Sequence, residues 1–163
     1  MNVDPVPEGA APAVRAAIAL GSNLQDPEAQ VQRAFDEIAG LPRTSLLARS
    51  SLYRTEPVGY ADQPMFVNAC ALVETSLGPR ELLEGLLEIE QQHGRVRAIR
   101  NGPRTLDLDL LVYGDRAVEE PGLTIPHPRA HERRFVLEPL AEVWPDAKLG
   151  KEGTARELLA RRA

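Results

Sequence analysis

Cysteine and aromatic residues are scarce in this sequence of 163 residues. It contains one Cys, three Phe, three Tyr and one Trp. A single cysteine, Cys70, excludes an internal disulfide framework and is typical of a reducing compartment, so we expect a cytoplasmic protein. The small number of aromatic side chains argues against a surface that stacks on exposed nucleotide bases.

Long apolar runs and an excess of basic charge are also absent. No stretch approaches the roughly 18 consecutive apolar residues of a membrane-spanning helix, and a net charge of −5 argues against general nucleic-acid binding. Met1–Ala13 is rich in Pro and small residues and lacks the pattern of a secretory signal, so we expect a disordered lead-in. The length of the remainder predicts one domain over residues 14–163.

Hydrophobic periodicity predicts strands and helices in mixed order. Proline is abundant, with 14 residues, which indicates many loops. The order of hairpin-like and crossover connections predicts an α+β sandwich, one sheet with helices on its faces. The predicted strands are Val14–Leu20, Thr44–Arg54, Met65–Thr75, Thr105–Tyr113 and Ala117–Thr124, and the predicted helices are Pro27–Ala39 after an N-cap at Asp26, Pro79–Gln92, Arg129–Glu142 with a bend or end at Pro139, and Thr154–Arg161.

Two aspartates in the strand Thr105–Tyr113 are separated by one leucine. Asp107 and Asp109 therefore share one face of the strand, about 6.6 Å apart, and the neighbouring leucines share the other. Two carboxylates so placed can hold one or two Mg²⁺ ions and leave coordination positions for substrate phosphates. The same pattern also fits a half-buried strand whose solvent face is acidic, and both interpretations stay open.

An arginine cluster directly precedes these aspartates. Arg95, Arg97, Arg100 and Arg104 lie on a predicted loop, Arg95–Arg104, which is unexpected in an acidic chain. Guanidinium groups suit phosphate oxygens, and aspartates suit the metal that phosphates carry. The combination favours phosphoryl transfer, which depends on positioning and charge neutralisation. Charge balance on an ordinary surface is the alternative.

A second basic cluster follows the turn at Pro126–Pro128. Positive charge at the start of a helix opposes the helix dipole, so an anion-binding site and a plain exposed helix start are both open interpretations. No HExxH pattern supports a zinc site. The cluster consists of His127, Arg129, His131, Arg133 and Arg134.

Three further features are interpreted as structural. Gly21-Ser22-Asn23 after the first strand matches neither phosphate-loop motif and is predicted to be a turn. Cys70 is predicted to be a small core residue, and Trp144 a packing residue. The loop Thr55–Pro64 is predicted from its Pro and Gly residues.

Six sequence blocks, in this order, resemble the 6-hydroxymethyl-7,8-dihydropterin pyrophosphokinases of folate biosynthesis. The resemblance extends from about Val14 to Leu149, and the block with both aspartates is highly specific. The blocks are ALGSN at Ala19–Asn23, SSLYRTEPVG at Ser50–Gly59, DQPMFVNA at Asp62–Ala69, EIEQQHGRVR at Glu88–Arg97, RNGPRTLDLDLL at Arg100–Leu111 and IPHPRAHERRFVLEPL at Ile125–Leu140.

The resemblance implies a ferredoxin-like α+β sandwich with one mostly antiparallel sheet and helices on both faces. It also implies Mg²⁺- and ATP-dependent transfer of a pyrophosphoryl group to the pterin's hydroxymethyl oxygen, with release of AMP, by a monomer. Composition and charge have already argued against nucleic acid and membrane as partners. Asp107 and Asp109 match the ligands of two Mg²⁺ ions. The matched catalytic positions are Arg95, Arg97, Arg104, Asp107 and Asp109; those that contact ATP are Glu90, Arg97, Arg104, Leu110, Thr124, His127 and Arg133; those of the pterin pocket are Thr55, Val58, Phe66, Asn68 and Phe135.

The sequence departs from the family's pattern at a few substrate positions. Asn101 stands in a loop one residue shorter, where an aromatic residue is frequent, and Pro128 and Phe66 each replace a frequent Tyr. Glu56 replaces a frequent Pro. These differences predict altered substrate affinity and leave the matched metal ligands and phosphate-binding arginines in place.

Two other classes of function remain as alternatives. A ferredoxin-like module that binds RNA or a small ligand would not need paired aspartates beside an arginine loop. A metal-dependent phosphohydrolase could use the same groups, but no base that would activate water is evident.

Overall fold

The computed structural model describes residues 12–23, 26–55, 66–94 and 106–161. Most of the predicted lead-in, Met1–Ala13, lies outside the described residues. The same holds for the predicted loop Thr55–Pro64 after its first residue and for the whole arginine loop, Arg95–Arg104.

Five of the described strands form one antiparallel sheet. The strands are β1 (Val14–Ser22), β2 (Thr44–Arg49), β3 (Tyr53–Thr55), β4 (Phe66–Thr75), β5 (Asp107–Tyr113), β6 (Val118–Glu120) and β7 (Leu123–Ile125). The order across the sheet is β2-β4-β1-β5, with β3 also paired to β4, while β6 and β7 form a separate hairpin.

Four α-helices lie in the described ranges: α1 (Pro27–Ala39), α2 (Pro79–Gly94), α3 (Arg134–Val143) and α4 (Ala155–Arg161). The crossovers through α1 and α2, together with the strand order, make the ferredoxin-like βαββαβ arrangement. The predicted fold class is therefore confirmed.

The sheet separates two apolar layers. Alternate residues of the central strand β1 point into them: Ile18 packs in the layer with α1 and α2, and Ala17 packs in the layer with α3 and α4. Because helices cover both faces, β1 reads as an almost continuous apolar run. Cys70 is fully buried in the α3 layer and Trp144 packs against it, as predicted.

The ends of several predicted elements differ from the structure. The first strand continues through Gly21 and Ser22, which pair with β4, so the predicted turn there is wrong. α1 begins at Pro27 as predicted, but the Asp26 side chain makes no capping hydrogen bond; Asp26 has a φ of 61°, and its carbonyl accepts the Gln30 N–H at 3.1 Å.

Three predicted elements are each divided in the structure. The predicted strand Thr44–Arg54 is interrupted at residues 50–52 and forms β2 and β3. Ala117–Thr124 is not one strand, because Gly122 at a φ of 77° reverses the chain and creates the β6–β7 hairpin. The helix predicted over Arg129–Glu142 is a 3₁₀ turn, Ala130–Glu132, followed by α3, with Arg133 extended between them.

Pro139 does not end α3, which continues to Val143. Its ring lacks the N–H that would bond the carbonyl of Phe135, four residues earlier, yet the helix continues past it. Pro139 is buried, as are Val136, Leu137 and Leu140 of the same helix. Among the described residues, no helix has the length and apolar composition needed to cross a membrane.

Candidate active site

On the sheet face that packs against α3, the end of the central strand β1 carries only small residues, Ala19 and Gly21. Gly21 lies opposite Asn68 of β4 on one side and Asp107 of β5 on the other, and Ala19 lies opposite Asp109. Directly paired residues of antiparallel strands project from the same face. Since the central strand contributes only a hydrogen and a methyl group, a depression remains between the amide and the two carboxylates.

This depression is a cavity of about 410 Å³. Phe66, at the start of β4, and Phe135, at the start of α3, form its aromatic walls, and these residues are 39% and 43% exposed, unlike the buried core. Exposed aromatic rings at a cavity are suited to packing on a flat ligand. The lining consists of Ala19, Leu20, Gly21, Thr55, Phe66, Asn68, Ala69, Asp107, Asp109, Arg133, Phe135 and Val136.

A second cavity, of about 270 Å³, lies beside the first. Asp109 lines both cavities, so a group bound at its carboxylate is within reach of ligands in either one. The second lining comes from β5, the β6–β7 hairpin and the turn after it: Leu83, Leu108, Asp109, Leu110, Gly122, Leu123, Thr124, His127 and Pro128.

The charges at the junction of the cavities are of both signs. Arg133 lines the first cavity, and its guanidinium carbon lies 5.7 Å from the centroid of the Phe135 ring. Burial lowers the pKa of His127; the nearby Asp109 acts in the opposite direction, and Arg133 and Arg129 reinforce the lowering. His127 Nδ1 accepts the Arg129 N–H at 3.2 Å, which leaves the proton of the neutral ring on Nε2.

The donor chemistry of Asp107 and Asp109 fits a magnesium ion. Both side chains are exposed and lie on one face of β5, at the cavities, while Leu108 and Leu110 point into the opposite layer, as predicted. In the described part of the chain, no group of three or more His, Cys, Asp and Glu residues is arranged to hold a metal. Two carboxylates with substrate phosphates and water are a common way for proteins to bind Mg²⁺.

Glu90 on α2 supports the strand that carries these aspartates. Its Oε2 accepts the backbone N–H of Leu108 at 2.6 Å. β5 is the outer strand of the sheet on this side, so the Glu90 carboxylate occupies the position of a missing strand partner. Its predicted contact with ATP stays a prediction.

The structure brings together most of the described residues predicted for the site. Asp107, Asp109, Thr55, Phe66, Asn68, Arg133 and Phe135 line the first cavity, and Asp109, Leu110, Thr124 and His127 line the second. Val58, Arg95, Arg97 and Arg104 lie outside the described residues. The second basic cluster does not act as a unit: His131 lies near Glu132 and Glu152, and Arg134 pairs with Glu138.

Gly21 and Ala19 are the floor residues that sequence reasoning missed. The signal was present, because a glycine inside a strand often marks a site where another group approaches the backbone. A Cβ at Gly21 would lie 3.1 Å from Asn68 Oδ1, so a side chain there would press on the amide.

Comparison with known proteins agrees with this geometry. A family model described as 7,8-dihydro-6-hydroxymethylpterin-pyrophosphokinase matches residues 17–145. The chain is 49% identical over 146 residues to a 2-amino-4-hydroxy-6-hydroxymethyldihydropteridine pyrophosphokinase of Pseudomonas aeruginosa, with 90% of each chain covered. It is 44% identical over 140 residues to the enzyme of that name from Bacillus subtilis, covering 86% of this chain and 83% of the other.

Solved structures show the same fold at much lower identity. Wild-type HPPK-DHPS of Plasmodium falciparum superposes with a TM-score of 0.72 at 15% identity, covering 96% of this chain. The chain spans 42% of the length of that protein. Because the family model covers most of the chain, and near-full-length relatives share almost half of its residues, this chain belongs to the 7,8-dihydro-6-hydroxymethylpterin pyrophosphokinase family.

Proposed function

We propose that this protein transfers a pyrophosphoryl group from ATP to the hydroxymethyl oxygen of 6-hydroxymethyl-7,8-dihydropterin, and so releases AMP and forms the pterin diphosphate for folate biosynthesis. The observation that best supports it is the position of Asp109, which lines both an aromatic-walled cavity and the groove beside it. The reaction requires that the hydroxyl group of one substrate meet the triphosphate of the other, and two cavities that share Asp109 allow this.

The first cavity is the proposed pterin pocket. Phe66 and Phe135 pack on the two faces of the heterocycle, and the Asn68 amide, which can both donate and accept hydrogen bonds, pairs with its polar edge. Thr55 and Val58 complete the pocket in this proposal. The bare backbone at Gly21 leaves the bound ring room beside the Asn68 amide.

The second cavity is the proposed nucleotide groove. Leu110 and Thr124 line it, and the neutral His127 offers its Nε2–H to an oxygen of the nucleotide. Arg133 at the junction, together with Glu90, Arg97 and Arg104, completes the proposed ATP contacts. Arg95, Arg97 and Arg104 are the proposed catalytic arginines, because guanidinium groups compensate negative charge that shifts between phosphate oxygens in the transition state.

Asp107 and Asp109 are the proposed magnesium ligands, for two ions. Bound there, Mg²⁺ neutralises phosphate charge and favours the in-line arrangement of the reacting oxygens. Asp109 lines both cavities and Asp107 lines the pterin pocket, so in this proposal the two carboxylates also orient the hydroxyl group of a ligand in that pocket toward the groove. A monomer, a cytoplasmic location and a single domain over residues 14–163 belong to the same proposal.

The decisive experiment incubates the protein with ATP, Mg²⁺ and the reduced pterin and separates the nucleotide products. The expected result is AMP in a one-to-one ratio with pterin diphosphate. Formation of ADP, or of AMP without the pterin, would refute the assignment. Arg97→Ala is expected to lower turnover by about 10²–10³-fold, as for loss of one transition-state donor, with little change in pterin affinity.

A further inference from the structure

The carboxylate of Glu142, near the end of α3, accepts hydrogen bonds from residues in and just before β3. Glu142 Oε1 and Oε2 each lie 3.0 Å from the Ser51 N–H, and Ser51 Oγ donates to Oε2 at 3.0 Å. The Tyr53 hydroxyl donates to Oε1 at 2.7 Å. Glu142 thus ties α3 to the chain that enters β3.

The charge states fit this arrangement. Burial alone would raise the pKa of Glu142, but the hydrogen bonds from Tyr53 and Ser51 outweigh burial and lower it. Burial and the hydrogen bond to Glu142 raise the pKa of Tyr53 to about 12. The pair is therefore a neutral phenol that donates to an ionised carboxylate, one of the stronger kinds of hydrogen bond in proteins.

Glu142 joins the strand beside one aromatic wall of the first cavity to the helix that carries the other wall. Tyr53 lies opposite Asn68, and Thr55 lies opposite Phe66, so β3 is paired directly with the start of β4. Phe135 is on the first turn of α3, the helix that carries Glu142. Phe66 and Asn68 thus lie on one side of the slot and Phe135 on the other, and the contact between β3 and α3 bridges the elements that carry or adjoin them.

We infer that Glu142 is a positioning residue for pterin binding, which acts through Tyr53 and Ser51 by holding β3 at a set distance from α3. This inference rests on the proposed function, because it takes the slot between Phe66 and Phe135 as the pterin pocket. Glu142 lines neither the pocket nor the nucleotide groove. Its effect should therefore reach the pterin and leave ATP binding almost unchanged.

The test compares Tyr53→Phe, Glu142→Gln and the double variant with the full-length wild type. Asp146→Asn is the matched control, since Asp146 is an exposed carboxylate just after α3 whose partner is Arg156 at 3.2 Å. Pterin binding is measured by calorimetry, kcat and KM for each substrate by AMP release, and melting temperature by circular dichroism.

We expect Glu142→Gln to weaken pterin binding about five- to tenfold and Tyr53→Phe about threefold, because the pocket loses preorganisation. The double variant should bind no more weakly than Glu142→Gln alone, as residues in one network are not additive. The KM for ATP should stay within about twofold of the wild type in all variants, and Asp146→Asn should match the wild type.

Other results would overturn the inference. A lower melting temperature with unchanged pterin affinity means that Glu142 only stabilises the fold. Equal losses of ATP and pterin affinity, or additive effects of the two substitutions, mean that no specific coupling to the slot exists. If the wild type binds the pterin but releases no AMP, the proposed function is refuted, and the pterin affinities of the variants still decide the role of Glu142. If the wild type binds no pterin, both the proposed function and the role of Glu142 are refuted.

Discussion

The backbone N–H of Leu108, the residue between Asp107 and Asp109, donates to the Glu90 carboxylate at 2.6 Å. This contact reaches from α2 to the outer edge of the sheet and holds the strand segment from which both aspartates project. The spacing of the aspartates follows from the strand, but their position relative to the cavities depends on where that strand is held.

Removing the acceptor at Glu90 should disturb the metal site without deleting a ligand. Glu90→Leu leaves the Leu108 N–H without this partner, and we expect a roughly 10–100-fold higher Mg²⁺ requirement, the usual effect of losing support behind a metal ligand. Glu90→Gln keeps an acceptor oxygen and should be affected much less. The Mg²⁺ requirement is measured by titrating AMP release with Mg²⁺, and Glu88→Gln, on the exposed side of α2, is the control. Equal effects of Glu90→Leu and Glu90→Gln would contradict a supporting role for the Glu90 carboxylate.

Removing either aspartate should abolish turnover and spare the fold. Asp107 and Asp109 are exposed on β5, so Asp107→Ala or Asp109→Ala creates no cavity in the core. We expect turnover to fall by at least about 10²–10³-fold, because charge compensation at the phosphates is lost. AMP release and thermal unfolding measure the two effects. Asp115→Ala, in the turn after β5, is the control, and full activity in either aspartate variant would refute the metal site.

A methyl group at Gly21 should interfere with the pterin and not with ATP. The new Cβ would lie 3.1 Å from Asn68 Oδ1, closer than an ordinary contact, so the amide must shift. We expect Gly21→Ala to raise the KM for the pterin about tenfold, the size of one lost or misplaced hydrogen bond. Gly40→Ala is the control, because its nearest new contact would be 3.5 Å. A rise in the KM for ATP of the same size would place the floor of the pterin pocket elsewhere.

His127 should make the folded protein less stable at mildly acidic pH. Its pKa is lowered in the folded state, first by burial, so below the usual value of about 6.5 the unfolded chain binds the proton more readily. Above about pH 6.5 His127 is neutral in both states and its titration does not change the free energy of unfolding. As the pH falls from there toward the lower pKa of the folded state, the free energy of unfolding decreases.

The check is the melting temperature of wild type and His127→Asn at pH 8 and pH 5.5. Any destabilisation caused by the substitution at pH 8 should become smaller at pH 5.5, because the wild type alone carries the cost of protonating a half-buried imidazole. A difference that is the same at both pH values would show that His127 titrates normally in the folded state.

Local patterns in the sequence determine a large part of this protein. Alternating apolar residues place Asp107 and Asp109 on one face of a strand and their leucines on the other, because side chains of a strand alternate with a period of two. The order of strands and helices predicts the fold class, and the sequence blocks predict the family; both are confirmed. Pro27 and Gly40 bound α1 where local geometry predicts.

Tertiary structure decides what these local patterns cannot. Gly21 reads as a turn residue, yet its pairing with β4 and β5 makes it the floor of a cavity, since hydrogen bonds to two neighbouring strands outweigh glycine's weak strand preference. The hydrogen bonds of Glu142 and Glu90 join residues 91 and 18 positions apart along the chain. The net charge of −5 likewise gives no sign that Arg133 and His127 lie at the same pair of cavities as the two aspartates. Net charge carries no information about which side chains the fold brings together.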